Sequence, residues 1–349
     1  MHAIAPRSPS GPSASQSMPL PRRPGRRGGG AALIAALALL ALFFAPIANA
    51  QSWPDKPVKL VSPYPPGGQT DLVSRFLAER LSPVLGQAVV VENKAGAQGI
   101  VGLEAVRNSP PDGYSFVYVN VSNISINPHV HAKLPYDGLR DFAPVSQIGL
   151  SVLAMVVPPS LGPKTLAEFI AYVKANPGKV SFASFGTGST SHIYGEMLNG
   201  SAGISMVHVP YKGAGPATQD VVAGHAQMAI QDFAAVGPFV RSGRLLALAV
   251  TGPRRWPAFP DLQTFAEQGQ PLDIAGWNGI MAPANTPKPV VSRMSAEINK
   301  IIQSPDGRDK MLQMGLLATG TTPEEFAEVI RRDTPRWGEV IRKAGIKPE

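Results

Sequence analysis

Residues 58–71 read VKLVSPYPPGGQTD: a β-branched run, a turn-rich loop, then the start of a segment with helical period. VKLVS has the composition of a strand, and Pro63, Pro65, Pro66, Gly67 and Gly68 interrupt any regular element. Residues 70–85 space their apolar side chains as one face of a helix. Strand, loop and helix in that order make an α/β unit, and the order recurs. AVVVE at 88–92 precedes a helix around 100–108, PPDG at 110–113 turns into the strand YSFVYVN, and SVLAMVV at 151–157 is a further strand. Thr165 and Glu168 have the spacing of a capping box, opening a helix that ends before Pro177 and Gly178. Strands at 179–184, 206–209, 227–231 and 245–251 alternate with helical pieces, and 276–282 reads as a strand returning to the first part of the fold. Near the end, Thr322 and Glu325 make a second capping box with Pro323 at the first helical position, opening a helix towards Ala344. These units predict an α/β fold with a largely parallel sheet, arranged as two interleaved lobes.

The 63–71 loop lies where open α/β sheets take ligands, between the end of a strand and the start of a helix. Its glycines allow a tight turn that exposes backbone N–H groups, and the positive end of the following helix favours an anion there. A plain strand-to-helix turn, with Asp71 favourably placed in the first helical turn, explains the same residues equally well. SFGTGSTSH at 184–192 repeats the pattern and is rich in hydroxyls. No Gly-Lys-Ser/Thr follows it, so it is not a P-loop, and it lacks the remaining glycine and acid of a dinucleotide fingerprint. One such loop in each lobe suggests a clamp on a small anion. Catalytic readings fare worse. Ser189, His192 and Asp232 can be written as a hydrolase triad, but no G-x-S-x-G elbow exposes the serine, and His192 follows it too closely to act as its base. The His192/Glu196 and His129/His131 pairs each lack a third metal ligand. The expectation is a binding protein that is not an enzyme and needs neither cofactor nor metal. Trp277, near the lobe junction, and Trp337, on the apolar face of the last helix, read as core.

Composition narrows the class further. The 349 residues suffice for two domains, and the absence of cysteine removes disulfides, thiol nucleophiles and cysteine metal sites. Residues 1–30 are rich in Ser, Pro, Gly and Arg; AALIAALALLALFFA at 31–45 is uncharged; and Ala48-Asn49-Ala50 closes the segment. That is a secretory signal peptide cleaved after Ala50, too short in its apolar run to span a bilayer. Met18 offers a second start, and the Arg22-Arg23 and Arg26-Arg27 pairs leave open whether export follows the general or the twin-arginine route. Five of the 32 Lys and Arg residues, and no acid, leave with the leader, so 27 basic face 24 acidic residues in the remainder. With no basic run interleaved with aromatics, nucleic acid is not an expected partner.

Several ordered segments carry a resemblance: WPDKPVKLV at 53–61, PYPPGGQTD at 63–71, ENKAGAQGIVG at 92–102, PDGYSF at 111–116, LPYDGLRDFAPV at 134–145, HVPYKGAGPA at 208–217 and APANTP at 282–287. They resemble the Bug/TctC family, the extracytoplasmic solute receptors of tripartite tricarboxylate transporters, over essentially all of residues 51–349. The resemblance implies a periplasmic-binding-protein fold of the type II-like, Venus-flytrap kind, with residues 51–153 plus 277–349 as one lobe and 154–276 as the other. It implies a periplasmic, monomeric receptor that captures a small carboxylate and docks transiently on two integral membrane permease subunits. A receptor feeding a signalling system, or a secreted serine hydrolase, are the alternatives. Carried onto this chain, the anchor falls at Tyr64, Pro65, Gly67, Gly68, Thr70 and Asp71, and the opposing loop at Gly186, Thr187, Gly188, Ser189 and Ser191. Asp232 sits near the cleft, and Asn120, Ser122 and Asn123 shape its far end. Tyr64 stands where the family more often has Phe, and Gln227 where it often has Asp.

Overall fold

The computed structural model describes Met18 and residues 53–348; apart from Met18 the expected signal peptide, with its cleavage position, lies outside them. The strands are β1 (Val58–Ser62), β2 (Val89–Asn93), β3 (Ser115–Asn120), β4 (Phe142–Ser151), β5 (Leu153–Val157), β6 (Ser181–Ser184), β7 (Val207–Pro210), β8 (Met228–Asp232), β9 (Leu246–Val250), β10 (Gly276–Pro283) and β11 (Leu316–Ala318). The helices are α1 (Gln69–Leu85), α2 (Ile100–Arg107), α3 (Asn127–Val130, led in by a wide turn over Ser122–Ile126), α4 (Leu166–Ala175), α5 (Thr190–Ala202), α6 (Ala214–Val222), α7 (Phe233–Arg241), α8 (Lys288–Gln303), α9 (Pro305–Gln313) and α10 (Pro323–Lys343). Among the described residues no helix is long and apolar enough to cross a membrane.

Two sheets result, one per lobe: β11-β4-β10-β3-β1-β2 and β7-β6-β8-β5-β9. The expected parallel character holds only in part. β1 runs parallel to β2 and β3, and β6 parallel to β7 and β8, as βαβ units require. β10 is antiparallel to β3 and β4, β11 to β4, and β5 to β8 and β9. The reason is topological: β4–β5 carries the chain from the first lobe to the second and β10 brings it back, inserted in mid-sheet against the βαβ strands. The expected strand at 151–157 is present as β5 over 153–157, while Ser151 closes β4 in the other sheet, with Val152 between them. β4 (FAPVSQIGLS) escaped the sequence reading because Pro144, Gln147 and Gly149 interrupt its pattern.

The central strands are covered on both faces, which explains their runs of apolar residues: all of β5, β8 and β10 is buried. Leu77, Phe116, Val145 and Ile298 pack in the first lobe, and Ala183, Val221 and Trp256 in the second. A third cluster spans both lobes, joining Phe182 and Tyr194 to Trp277, Phe326 and Trp337. Across this seam the rings of Tyr194 and Trp337 meet edge to face at 5.9 Å. The capping box that opens α10 is complete, with Thr322 N–H donating to Glu325 Oε2 and Glu325 N–H to Thr322 Oγ1. At α4 it is half formed: Thr165 Oγ1 accepts from Glu168 N–H, but the Glu168 carboxylate takes the N–H of Lys164 instead.

Candidate functional site

A cavity of about 480 Å³ lies between the lobes. The first lobe contributes residues 64–70, Asn120 and Ser122, and β10 adds Trp277 and Asn278. The second lobe contributes Phe185, Thr190, residues 212–216, Asp232 and Phe239.

Four helices begin on these walls, and they divide into two kinds. α5 is capped by Ser189, whose Oγ accepts from His192 N–H, and α7 by Asp232, whose Oδ1 accepts from Ala235 N–H at 3.0 Å. α1 starts at Gly68 and α6 at Gly213, and neither has a side-chain cap. The first N–H groups of such helices have no intrahelical acceptor, and the helix dipole adds a partial positive charge. Two open helix ends, one from each lobe, thus border one cavity, and the exposed Lys212 adds a full charge beside α6. At Gly67 φ is +85°, a left-handed turn that suits glycine and lets the loop fold back before α1.

Asp71 braces this loop from below rather than lining the cavity. Its carboxylate is buried and accepts from Gly67 N–H at 3.0 Å, Arg75 Nε at 3.0 Å and Asn93 Nδ2 at 2.9 Å. Burial pushes its pKa up, but the Arg75 guanidinium, Gly67 N–H and Asn93 amide outweigh that and hold it below the ordinary carboxylate value. Tyr64, Pro65, Gly67, Gly68 and Thr70 line the wall. The Tyr64 hydroxyl points to the side chain of Asn120 and the carbonyl of Gln98, and burial raises its pKa to about 12. Asn123 lies behind the wall, clasping Asn120: each side-chain oxygen accepts the other's backbone N–H, at 3.0 and 3.1 Å. Ser122 Oγ accepts from Thr190 N–H at 3.3 Å, bridging the lobes.

The second expected loop departs most from the sequence reading. Phe185 and Thr190 line the cavity, but Gly186, Thr187, Gly188, Ser189 and Ser191 do not. Positive φ at Gly186 (+133°) and Gly188 (+77°) turns the loop away. Ser189 Oγ donates to Gly186 O at 2.6 Å besides capping α5, and Ser191 is buried. Thr187 and Gly188 instead border a second cavity of about 380 Å³, with His192, Glu196 and residues 344–348. A further stretch of this lobe that faces the first cavity is 212–216, KGAGP. Lys212 and Gly213 lie between β7 and α6 and residues 214–216 open α6; a Gly-rich strand–loop–helix signal is present there too, but the sequence reading did not single it out.

The hydrolase triad does not assemble. His192 Nδ1 accepts from Gly188 N–H at 3.1 Å, its ring stacks on His208 at 3.9 Å, and Asp232 is spent on its helix cap. Burial pushes His192 down to about 4; burial and the neighbouring His192 push His208 down to about 3. Desolvation raises the Asp232 carboxyl above its ordinary value despite the N–H groups that face it. Among the described residues no group of three metal-binding side chains occurs. Trp277 is buried and meets Phe326 edge to face at 5.2 Å, a core residue at the back of the cavity.

Comparison with known proteins extends this picture. The model of the tripartite tricarboxylate transporter family receptor matches residues 73–346. BugT of Bordetella pertussis is 35% identical over 301 residues, spanning 86% of this chain and 92% of that protein. Among solved structures, a Rhodopseudomonas palustris protein with adipate is similar at TM-score 0.83 and 32% identity, over 85% of this chain and 100% of the other. MatC from Rhodopseudomonas palustris, with bound malate, gives TM-score 0.77 and 29% identity, over 83% and 100%.

Proposed function

The chain belongs to the tripartite tricarboxylate transporter family of receptors, and from that we propose that it captures a small organic acid between its lobes in the periplasm and passes it to a permease of two integral membrane subunits. The observation that carries the acid is the pair of uncapped helix ends, α1 and α6, on opposite walls of one cavity. A carboxylate there satisfies N–H groups around Gly68 and Thr70 on one side and Gly213 and Ala214 on the other. Charge-assisted hydrogen bonds of this kind contribute roughly 1.5–3 kcal/mol each. Tyr64, Pro65, Asn120 and Ser122 shape the pocket around it. Lys212 lends positive charge, while Asp232 borders the pocket as the cap of α7. The adipate and malate held by the two Rhodopseudomonas relatives are small carboxylates of the same class. Residues 51–153 with 277–349 move as one lobe and 154–276 as the other, closing by a hinge at the crossing strands. The receptor acts as a monomer and changes no bond in its cargo.

Mass spectrometry of the small molecule released from purified, denatured protein tests the reading. An organic acid is expected, and calorimetry with its primary amide should show binding weaker by about tenfold to a hundredfold. A neutral or cationic ligand, or an amide that binds as tightly as the acid, overturns it.

A further inference from the structure

Four consecutive residues have positive φ: Gly96 at 148°, Ala97 at 43°, Gln98 at 55° and Gly99 at 88°. Glycine takes these angles freely, whereas Ala97 and Gln98 are held there at a cost in free energy. The turn delivers the Gln98 side chain across the seam between the lobes. Its amide packs on Gly186 so closely that a Cβ at position 186 would overlap it. The main-chain carbonyl of Gln98 stays in the first lobe, accepting from the Tyr64 hydroxyl at 3.4 Å and from Asn127 Nδ2 at 3.5 Å. Tyr64 lines the ligand cavity from the first lobe, and Phe185, next to Gly186, lines it from the second. Gln98 therefore touches the support of both walls without lining the cavity itself. Its Nε2 is the atom nearest Gly186, and Oε1 is buried with no hydrogen-bond partner among the described residues.

We propose that Gln98 is a positioning residue of the cleft: set on a strained left-handed turn, it wedges against Gly186 and fixes the Phe185 wall and the loop behind it. The inference rests on the acid-receptor reading for its ligand, but the wedge itself is a property of the fold. The contact is made within the chain and needs no ligand, so its loss loosens a wall that bound ligand leans on and is read in departure. Without it the 185–189 loop shifts, the closed cleft loosens, and residence time falls while the association rate holds.

Two variants of the full mature chain separate reach from strain. Gln98→Gly relieves the backbone and removes the side chain; Gln98→Asn tolerates the left-handed region but is too short to reach Gly186. In ligand-free protein, the amides of Gly186, Gly188 and Ser189 donate to Ser184 Oγ, His192 Nδ1 and Gly186 O. Their hydrogen exchange should quicken roughly tenfold in both variants, with the rest of the second lobe unchanged and no fall in melting temperature for Gln98→Gly. With adipate as the probe, stopped-flow fluorescence should give a dissociation rate raised about tenfold and an association rate within about twofold. Unchanged exchange at those three amides overturns the wedge, as does faster exchange throughout the lobe with a lowered melting temperature. A wild-type chain that ignores adipate while the variants show the local acceleration supports the wedge and rules out adipate alone as the acid. Normal adipate binding and kinetics in all three proteins, with unchanged exchange, overturns the wedge and leaves the acid reading standing.

Discussion

Replacing Gly68 by Asp puts a carboxylate where the ligand's is expected. Gly68 has φ −82° and ψ 173°, an extended conformation open to any residue and usual for an N-cap. A Cβ there meets only the carbonyl oxygen of Pro65, at 3.9 Å. The new side chain can thus cap α1 without moving the backbone. A good cap in place of glycine stabilises by a few tenths of a kcal/mol, and its charge at the helix end adds about 0.3–1 kcal/mol. Repulsion from Asp71, one turn on, offsets part of this. A net gain of about 0.5 kcal/mol, or a rise of roughly 1–2 °C in melting temperature, is expected for a chain of this size. Binding moves the other way. The cap consumes the N–H groups the ligand needs and sets a like charge beside it. Losing two charge-assisted hydrogen bonds costs roughly 3–6 kcal/mol, at least a hundredfold in Kd. Gly68→Ala is the control, adding a methyl group but no acceptor, and should bind within about threefold of wild type. Scanning fluorimetry of ligand-free protein and calorimetry with the acid recovered from the protein give the two numbers. If Gly68→Asp melts higher and still binds at wild-type affinity, the open end of α1 is not the anchor.

Three further outcomes follow from the same geometry. His192 and His208 are held neutral, at about 4 and about 3, below the ordinary histidine value near 6.5, so the unfolded chain takes up protons first as pH falls. Stability should be full above pH 6.5 and decline below it towards pH 4, by up to about 1.4 kcal/mol per pH unit for each histidine; urea melts of His208→Phe should show a shallower decline, and an unchanged one would refute the assignment. Asp71→Asn should destabilise by roughly 1–3 kcal/mol and weaken acid binding, because the brace loses its charge while Gly67, Arg75 and Asn93 still point at it; denaturant midpoints and calorimetry check both, and loss of stability with intact binding would detach the brace from the site. N-terminal sequencing of the exported protein should begin at Gln51, and finding residues 31–45 still attached would refute cleavage after Ala50.

Much was legible in local pattern because local physics sets it. A β-branched run before a Pro/Gly loop and a helical period fixes β1, the 63–68 turn and α1, whatever lies elsewhere. The complete capping box before α10 likewise depends on residues within one turn of each other, and the apolar face that carries Trp337 shows in the helical period. Long-range placement decided the rest. That Ser151 closes β4 while 153–157 form β5 in the other sheet depends on strand pairing, and β4 is defined by β10 and β11, more than a hundred residues away. Gly-rich loops 184–192 and 211–216 carry the same signal in sequence. Only the path of the chain turns the first against Gln98 and a second cavity and the other into the cleft. Whether a helix end is free for a ligand is decided the same way. Ser189 and Asp232 reach back to cap their own helices, while Gly68 and Gly213 have no side chain with which to do so, and the packing of the lobes brings those two open ends to one cavity.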